Sequence, residues 1–165
     1  MKKNPAGKVP VLELDDGTFL TESAAIVEYL EERFPESPMI GTDPESCAKV
    51  RMAERIVAEL FPLFRLHYLH NAPSFLQAMH GFERVPEVAN EVGPVIERSL
   101  AVLEGLIGDE PFLAGQKPTV ADCHFFALIS AGRKFDYSLP GNFPKLREWF
   151  ERFGTRPSAS AGGLP

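Results

Sequence analysis

The spacing of apolar residues changes period along the chain, and each change predicts an element. Val9 to Leu14 and Thr18 to Leu20 read as two short strands joined at Asp15-Asp16-Gly17, where Asp-Gly supplies the positive φ angles of a tight hairpin. The period then becomes helical. Ile26, Val27, Leu30 and Phe34 share one face, Glu28, Glu31, Glu32 and Arg33 the other, and Pro35 stops the run. A stretch rich in Pro, Ser and Gly follows, and Asp43-Pro44 then opens a long helix as N-cap and first helical residue. Its apolar stripe is Val50, Ala53, Ile56, Val57, Leu60 and Phe64; Pro62 is expected to kink it and Asn71-Ala72-Pro73 to end it. After a poorly patterned stretch to Arg84, a second long helix starts near Pro86, with Val88, Ala89, Val92, Ile96, Leu100, Leu103 and Ile107 at three-four spacing and a bend expected at Gly93-Pro94. The short connection predicts an antiparallel pair. Val120 to Ala131 is apolar almost all round, which predicts a central helix; Thr119 and Asp122 at its start form a capping box with Asp in place of Glu or Gln. Pro144 to Phe153 places Leu146, Trp149, Phe150 and Phe153 inward and stops at Gly154.

Two segments near the start carry candidate chemistry. In Asn4-Pro5-Ala6-Gly7-Lys8-Val9-Pro10-Val11-Leu12 a proline interrupts a strand-forming run, so Pro10 marks the strand's entry and is a candidate cis peptide. Val9 would then face outward, its N–H and C=O open to pairing with an extended peptide ligand. In Leu20-Thr21-Glu22-Ser23-Ala24-Ala25-Ile26 an acidic residue and a serine stand where a helix begins. Free N–H groups and the positive dipole end there can hold a carboxylate beside Ser23, while Glu22 accepts from an amino group. Together they suit the α-amino acid end of a γ-glutamyl group.

The joint pattern, Gly-Lys-Val-Pro, hairpin, Glu-Ser, helix, resembles the glutathione S-transferase family over nearly the whole chain. The resemblance implies a mostly α protein: an all-helical C-terminal bundle preceded by the ββα remnant of a thioredoxin-like domain. Expected bounds are 1–36 for the remnant, 37–42 for a linker, 43–154 for the helical domain and 155–165 for a flexible tail. The family's opening βαβ unit, roughly 30 residues or more, is expected before Asn4, where this chain has Met1, Lys2 and Lys3. With it would come the Tyr, Ser or Cys that activates the glutathione sulfur, so no catalytic residue is assigned and little conjugating activity is expected of the chain as given. The resemblance also implies glutathione as co-substrate, held by Lys8, Val9, Pro10, Glu22 and Ser23, with Lys8 meeting the glycine carboxylate. The second substrate is expected to be a small hydrophobic electrophile in a pocket lined by Phe61, Phe64, Arg65 and Tyr68, with Phe75 nearby. Thr119 and Asp122 resemble the family's buried-helix cap and are assigned to folding.

Composition narrows the partners. With 17 basic and 23 acidic residues, a formal charge of −6 and no dense basic run, the chain is a poor match for nucleic acid or an anionic membrane. Its two cysteines, Cys47 and Cys123, lie far apart, as suits a reducing cytoplasm, where detoxification is the role the resemblance implies. Cys47, in a helix's first turn, is open to modification, and Cys123 is expected to be inert core. No signal-type apolar segment opens the chain. His67 and His70 are three apart without a neighbouring Cys or carboxylate, which favours a surface or pocket pair over a metal site. His80 is uninformative, and His124 reads as a satisfied core histidine. A homodimer is the family's habit, and the short N-terminal half weighs against it. The alternative to an enzyme is a non-catalytic interaction module of the same fold or a truncated fragment without turnover, for which an unpaired strand edge would invite a partner.

Overall fold

The computed structural model describes residues 3–71, 83–133 and 137–160. The chain divides into two compact units, Met1–Ile40 and Gly41–Pro165.

In the first unit, β1 (Val11–Glu13) pairs antiparallel with β2 (Phe19–Thr21), Val11 opposite Thr21, Leu12 opposite Leu20 and Glu13 opposite Phe19. The turn closes because Gly17 takes φ 81°, a conformation that costs glycine little, and its N–H reaches the Leu14 carbonyl at 2.9 Å. Asp16 Oδ1 accepts from the Thr18 N–H at 2.9 Å, an Asx bond that fixes the same corner. The helix α1 (Ser23–Arg33) packs on both strands, burying Ile26, whereas Leu30 and Phe34 remain exposed. The chain beyond it is held by Glu31, whose carboxylate accepts from the N–H groups of Met39 and Ile40.

The second unit is helical. It comprises α2 (Pro44–Asn71), α3 (Pro86–Ile107), α4 (Val120–Arg133), α5 (Pro144–Gly154) and a short α6 (Pro157–Ser160). Among the described residues the chain is thus mostly α with one small two-stranded sheet. Asp43 caps α2, its Oδ1 taking the Ser46 N–H at 2.9 Å, and Ser46 Oγ in return accepts from the N–H groups of Asp43 and Thr42. This is a reciprocal box with serine where glutamate is usual. Pro62 and Pro94 are accommodated inside α2 and α3, which continue through them. The stripes meet in one core: Ala53, Val57, Leu60 and Phe64 of α2, Ile96, Leu100, Leu103 and Ile107 of α3, Phe125 and Ile129 of α4, and Leu146, Trp149 and Phe150 of α5. Phe125 stacks on Trp149 at 5.1 Å and Phe126 on Phe150 at 4.9 Å, offset geometries that aromatic quadrupoles favour.

Two expectations are corrected. Residues 157–160, placed in a flexible tail, form α6. Cys123, expected in the core, is exposed: α4 buries Val120, Ala121, Asp122, Phe125, Leu128 and Ile129, and Cys123 falls on the opposite face. The nearly all-apolar run gave the helix without fixing which side packs.

Candidate functional site

At the open end of the hairpin the two marked segments meet. The last ladder pair is Val11 opposite Thr21, so Val9-Pro10 and Glu22-Ser23 leave the sheet at the same end. The Val9–Pro10 bond is cis, and Val9 is 90 % exposed. An apolar β-branched side chain so open, beside a strand end, leaves its main chain accessible to an added strand. Lys8 is exposed too, and its ammonium has no partner among the described residues.

Glu22 precedes α1 with φ 67° and ψ 118°, a region that a non-glycine residue occupies at a cost of roughly 1–3 kcal/mol. It makes no side-chain cap, and the first turn carries no acidic residue. The earliest N–H with an intrahelical acceptor is that of Ile26, on the Glu22 carbonyl at 3.1 Å. Ser23, Ala24 and Ala25 are exposed. The helix thus begins with uncapped donors facing solvent, which is the arrangement that holds a carboxylate.

Asn4, a residue the sequence reading passed over, shapes the approach. It is buried; its Oδ1 accepts from the Ala6 N–H at 2.9 Å and its Nδ2 donates to the Lys8 carbonyl at 2.8 Å. Its own carbonyl accepts from Gly7 at 3.0 Å. One side chain therefore folds residues 4–8 into a closed loop that delivers Lys8 and Val9. The sequence signal was available: Asn-Pro ahead of a glycine favours such a side-chain-locked turn.

Residues 1–38 match the model of the glutathione S-transferase N-terminal domain and residues 60–157 that of the C-terminal domain. The chain belongs to the glutathione S-transferase family. It is 34 % identical over 156 residues to a maleylacetoacetate isomerase of Pseudomonas aeruginosa, spanning 94 % of this chain and 70 % of that protein. A glutathione S-transferase domain-containing protein of Marinobacter aquaeolei superposes with a TM-score of 0.80 at 31 % identity, over 96 % of this chain and 78 % of that one. A glutathione S-transferase of Methylobacterium radiotolerans, solved with glutathione sulfonate, shares the fold with a TM-score of 0.80 at 24 % identity, over 99 % and 75 % of the two chains.

Within this glutathione S-transferase chain the four residues expected to line a hydrophobic pocket differ in burial. Phe64 is fully buried in the helical core, edge-on to Tyr137 at 4.8 Å, because its position on α2 lies on the stripe that faces the core and not solvent. Tyr68 is half-buried against the same pair, and burial pushes its hydroxyl well above the usual phenol range, as it does that of Tyr137. Phe61 and Arg65 are exposed. Phe75 and His80 lie outside the described residues.

The histidines take separate structural partners. His67 Nδ1 lies 3.4 Å from the Ala89 carbonyl and its Nε2 3.1 Å from Asn71 Nδ2, while His70 Nδ1 accepts from the Val85 N–H at 3.0 Å. His124 is half-buried, its Nδ1 3.2 Å from Glu54 Oε1, and so joins α4 to α2. Among the described residues no group of three or more His, Cys, Asp or Glu could hold a metal ion. No described helix is long and apolar enough to cross a membrane.

Thr119 and Asp122 do more than cap. The Thr119 N–H and hydroxyl both donate to Asp122 Oδ2 at 2.8 Å, so the hydroxyl serves the carboxylate and not the N–H three residues on, as had been expected. Asp122 Oδ1 meanwhile accepts from the Leu113 N–H at 3.0 Å and from Trp149 Nε1 at 2.9 Å. Four donors on a carboxylate with no exposure satisfy it without a cation.

Proposed function

We propose that this chain binds glutathione at the open end of its hairpin. The Val9 main chain beside Pro10 pairs with the cysteinyl backbone, Glu22 accepts from the γ-glutamyl amino group, Ser23 and the α1 N-terminus hold its carboxylate, and Lys8 meets the glycine carboxylate. The observation that supports this reading is the hairpin register, Val11 opposite Thr21, which brings the residues just before Val11 and just after Thr21 to the same end of the hairpin. The complex with glutathione sulfonate formed by the Methylobacterium radiotolerans protein supports the same ligand class.

In the whole protein the bound thiol is delivered to a carbon electrophile. With an apolar substrate carrying a leaving group, a sulfur–carbon bond forms as the leaving group departs with its electron pair. The protein's part is to position the tripeptide and shield the thiolate. A second reading is favoured by the 34 % identity to a maleylacetoacetate isomerase: glutathione adds to an unsaturated acid, the former double bond rotates, and elimination releases glutathione unchanged. Either chemistry places the protein in the cytoplasm, where glutathione is abundant, with dimerisation of the family's usual kind.

Calorimetric titration of glutathione tests the binding site. Glu22→Ala is expected to weaken binding about tenfold or more, since a charge-assisted contact is worth roughly 1.5–3 kcal/mol; unchanged affinity would remove Glu22 from the site. Parallel assays of aryl halide conjugation and of glutathione-dependent cis–trans isomerisation then separate the two reactions.

A further inference from the structure

Three valines of α3 lie open to solvent. Val85, its N-cap residue, is 40 % exposed, Val95 39 % and Val102 47 %. They do not stand singly. Val85, Val88, Val92, Val95, Ser99 and Val102 follow one another at alternating steps of three and four, and Val88, Val92 and Ser99 are half-buried between the open three. A seven-residue repeat of this kind runs as one seam along the side of a helix, and a second helix packs its own side chains into such a seam. The residues that α3 gives to its own unit, Ala89, Ile96, Leu100, Leu103 and Ile107, form a separate row. Val92 leans on that core with one flank, whereas Val95 and Val102 take no part in it.

The one polar member of the seam is already satisfied. Ser99 donates its hydroxyl to the Val95 carbonyl at 3.2 Å, so it can be covered without stranding a donor. Charge flanks the seam on the side away from the core row: Glu91 and Arg98, one repeat apart, occupy equivalent places. Both are exposed, and neither has a hydrogen bond or an ion pair among the described residues. An anion and a cation at equivalent places are self-complementary under a two-fold axis, because each copy's Glu91 then faces the other's Arg98. In that antiparallel register Val92 meets Val95 of the second copy, Val88 meets Ser99 and Val85 meets Val102, so all three open valines are covered. A parallel pairing, with equal residues level, brings neither charge to its opposite.

We propose that the valine seam of α3 is a self-association surface, on which a second copy of this chain docks as an antiparallel two-fold partner. A seam of about five turns is short for a dimer, so the pairing is weak and depends on concentration. It draws on α3 alone and is independent of the glutathione reading.

Sedimentation equilibrium of the full chain tests it, with the mass expected to rise from one copy towards two on concentration to about 1 mM, the range of a weak specific contact. Val95→Glu, at an exposed position, is expected to weaken association at least about tenfold by setting a charge in the seam, while the unfolding midpoint of the dilute single copy stays in place. Glu91→Arg and Arg98→Glu each oppose like charges across the axis and are expected to weaken association about tenfold, whereas the two together re-form both pairs with signs exchanged and restore it. A chain that stays a single copy throughout, association unchanged in Val95→Glu, or a double exchange no tighter than either single one would each overturn the proposal.

Discussion

Trp149 donates its indole N–H to Asp122 across 27 residues of sequence, tying α5 to the first turn of α4. The same carboxylate holds Leu113 in the preceding turn and Thr119 at the helix start, so three segments converge on one buried acid. Asp122→Ala strands those donors without acceptors, each at about 1–3 kcal/mol. A loss of about 3 kcal/mol or more is therefore expected in denaturant unfolding, seen as a lower midpoint at unchanged slope. A loss under about 1 kcal/mol would show that water or neighbours replace the carboxylate.

Gly132 sits inside α4 where alanine has the higher helix propensity, worth about 1 kcal/mol. Yet a Cβ there would stand 2.2 Å from the Tyr68 hydroxyl oxygen and 3.2 Å from the ring carbon that bears it. Overpacking costs about 1–3 kcal/mol, so Gly132→Ala is expected to destabilise. Tyr68→Phe removes the closest atom, and the double mutant is expected to recover at least about 0.5 kcal/mol relative to additivity in a double-mutant cycle. Strict additivity would show that the tyrosine moves aside freely.

Asn4 contacts the candidate ligand site only through the backbone it holds. Asn4→Ala removes both side-chain bonds and leaves Lys8 and Val9 free to sample other conformations, which ligand binding must then reorder. Glutathione affinity is expected to fall about fivefold or more, with the helical unit's unfolding unaffected. Asn4→Asp, which keeps the acceptor for Ala6 but sets a carboxylate against the Lys8 carbonyl, is expected to fall at least as far. Undiminished affinity in both variants would assign the loop's shape to its prolines.

Asp43 titrates with the start of α2. Hydrogen bonds from the Ser46 N–H and hydroxyl hold its carboxyl below the ordinary value of 3.8. A folded-state value lower than the unfolded one gives stability that is present above the unfolded value and lost as pH falls through the folded one. Asp43→Ala is accordingly expected to lower Tm at neutral pH, with the gap to the parent chain closing below about pH 4. A gap that stays constant to pH 2 would mean the ionised cap contributes nothing.

The amino-acid sequence determined whatever depends on neighbours a few residues apart. The hairpin at Asp15-Asp16-Gly17, the stripes from Val50 to Phe64 and from Ala89 to Ile107, and the Asp43 cap follow from φ preferences, a 3.6-residue period and side chains that reach only their own turn. The shared end of the hairpin from which Val9-Pro10 and Glu22-Ser23 depart was legible for the same reason, since the short turn at Asp15-Asp16-Gly17 fixes the register of the two strands. Tertiary structure decided the phase and the long reaches. Cys123 became surface because packing against neighbouring helices chose the buried side of a segment whose composition allowed several. Glu104 caps the start of α5 from 41 and 42 residues away, and Asp122 finds Trp149, because a folded chain brings together donors and acceptors whose separation in sequence carries no local signal.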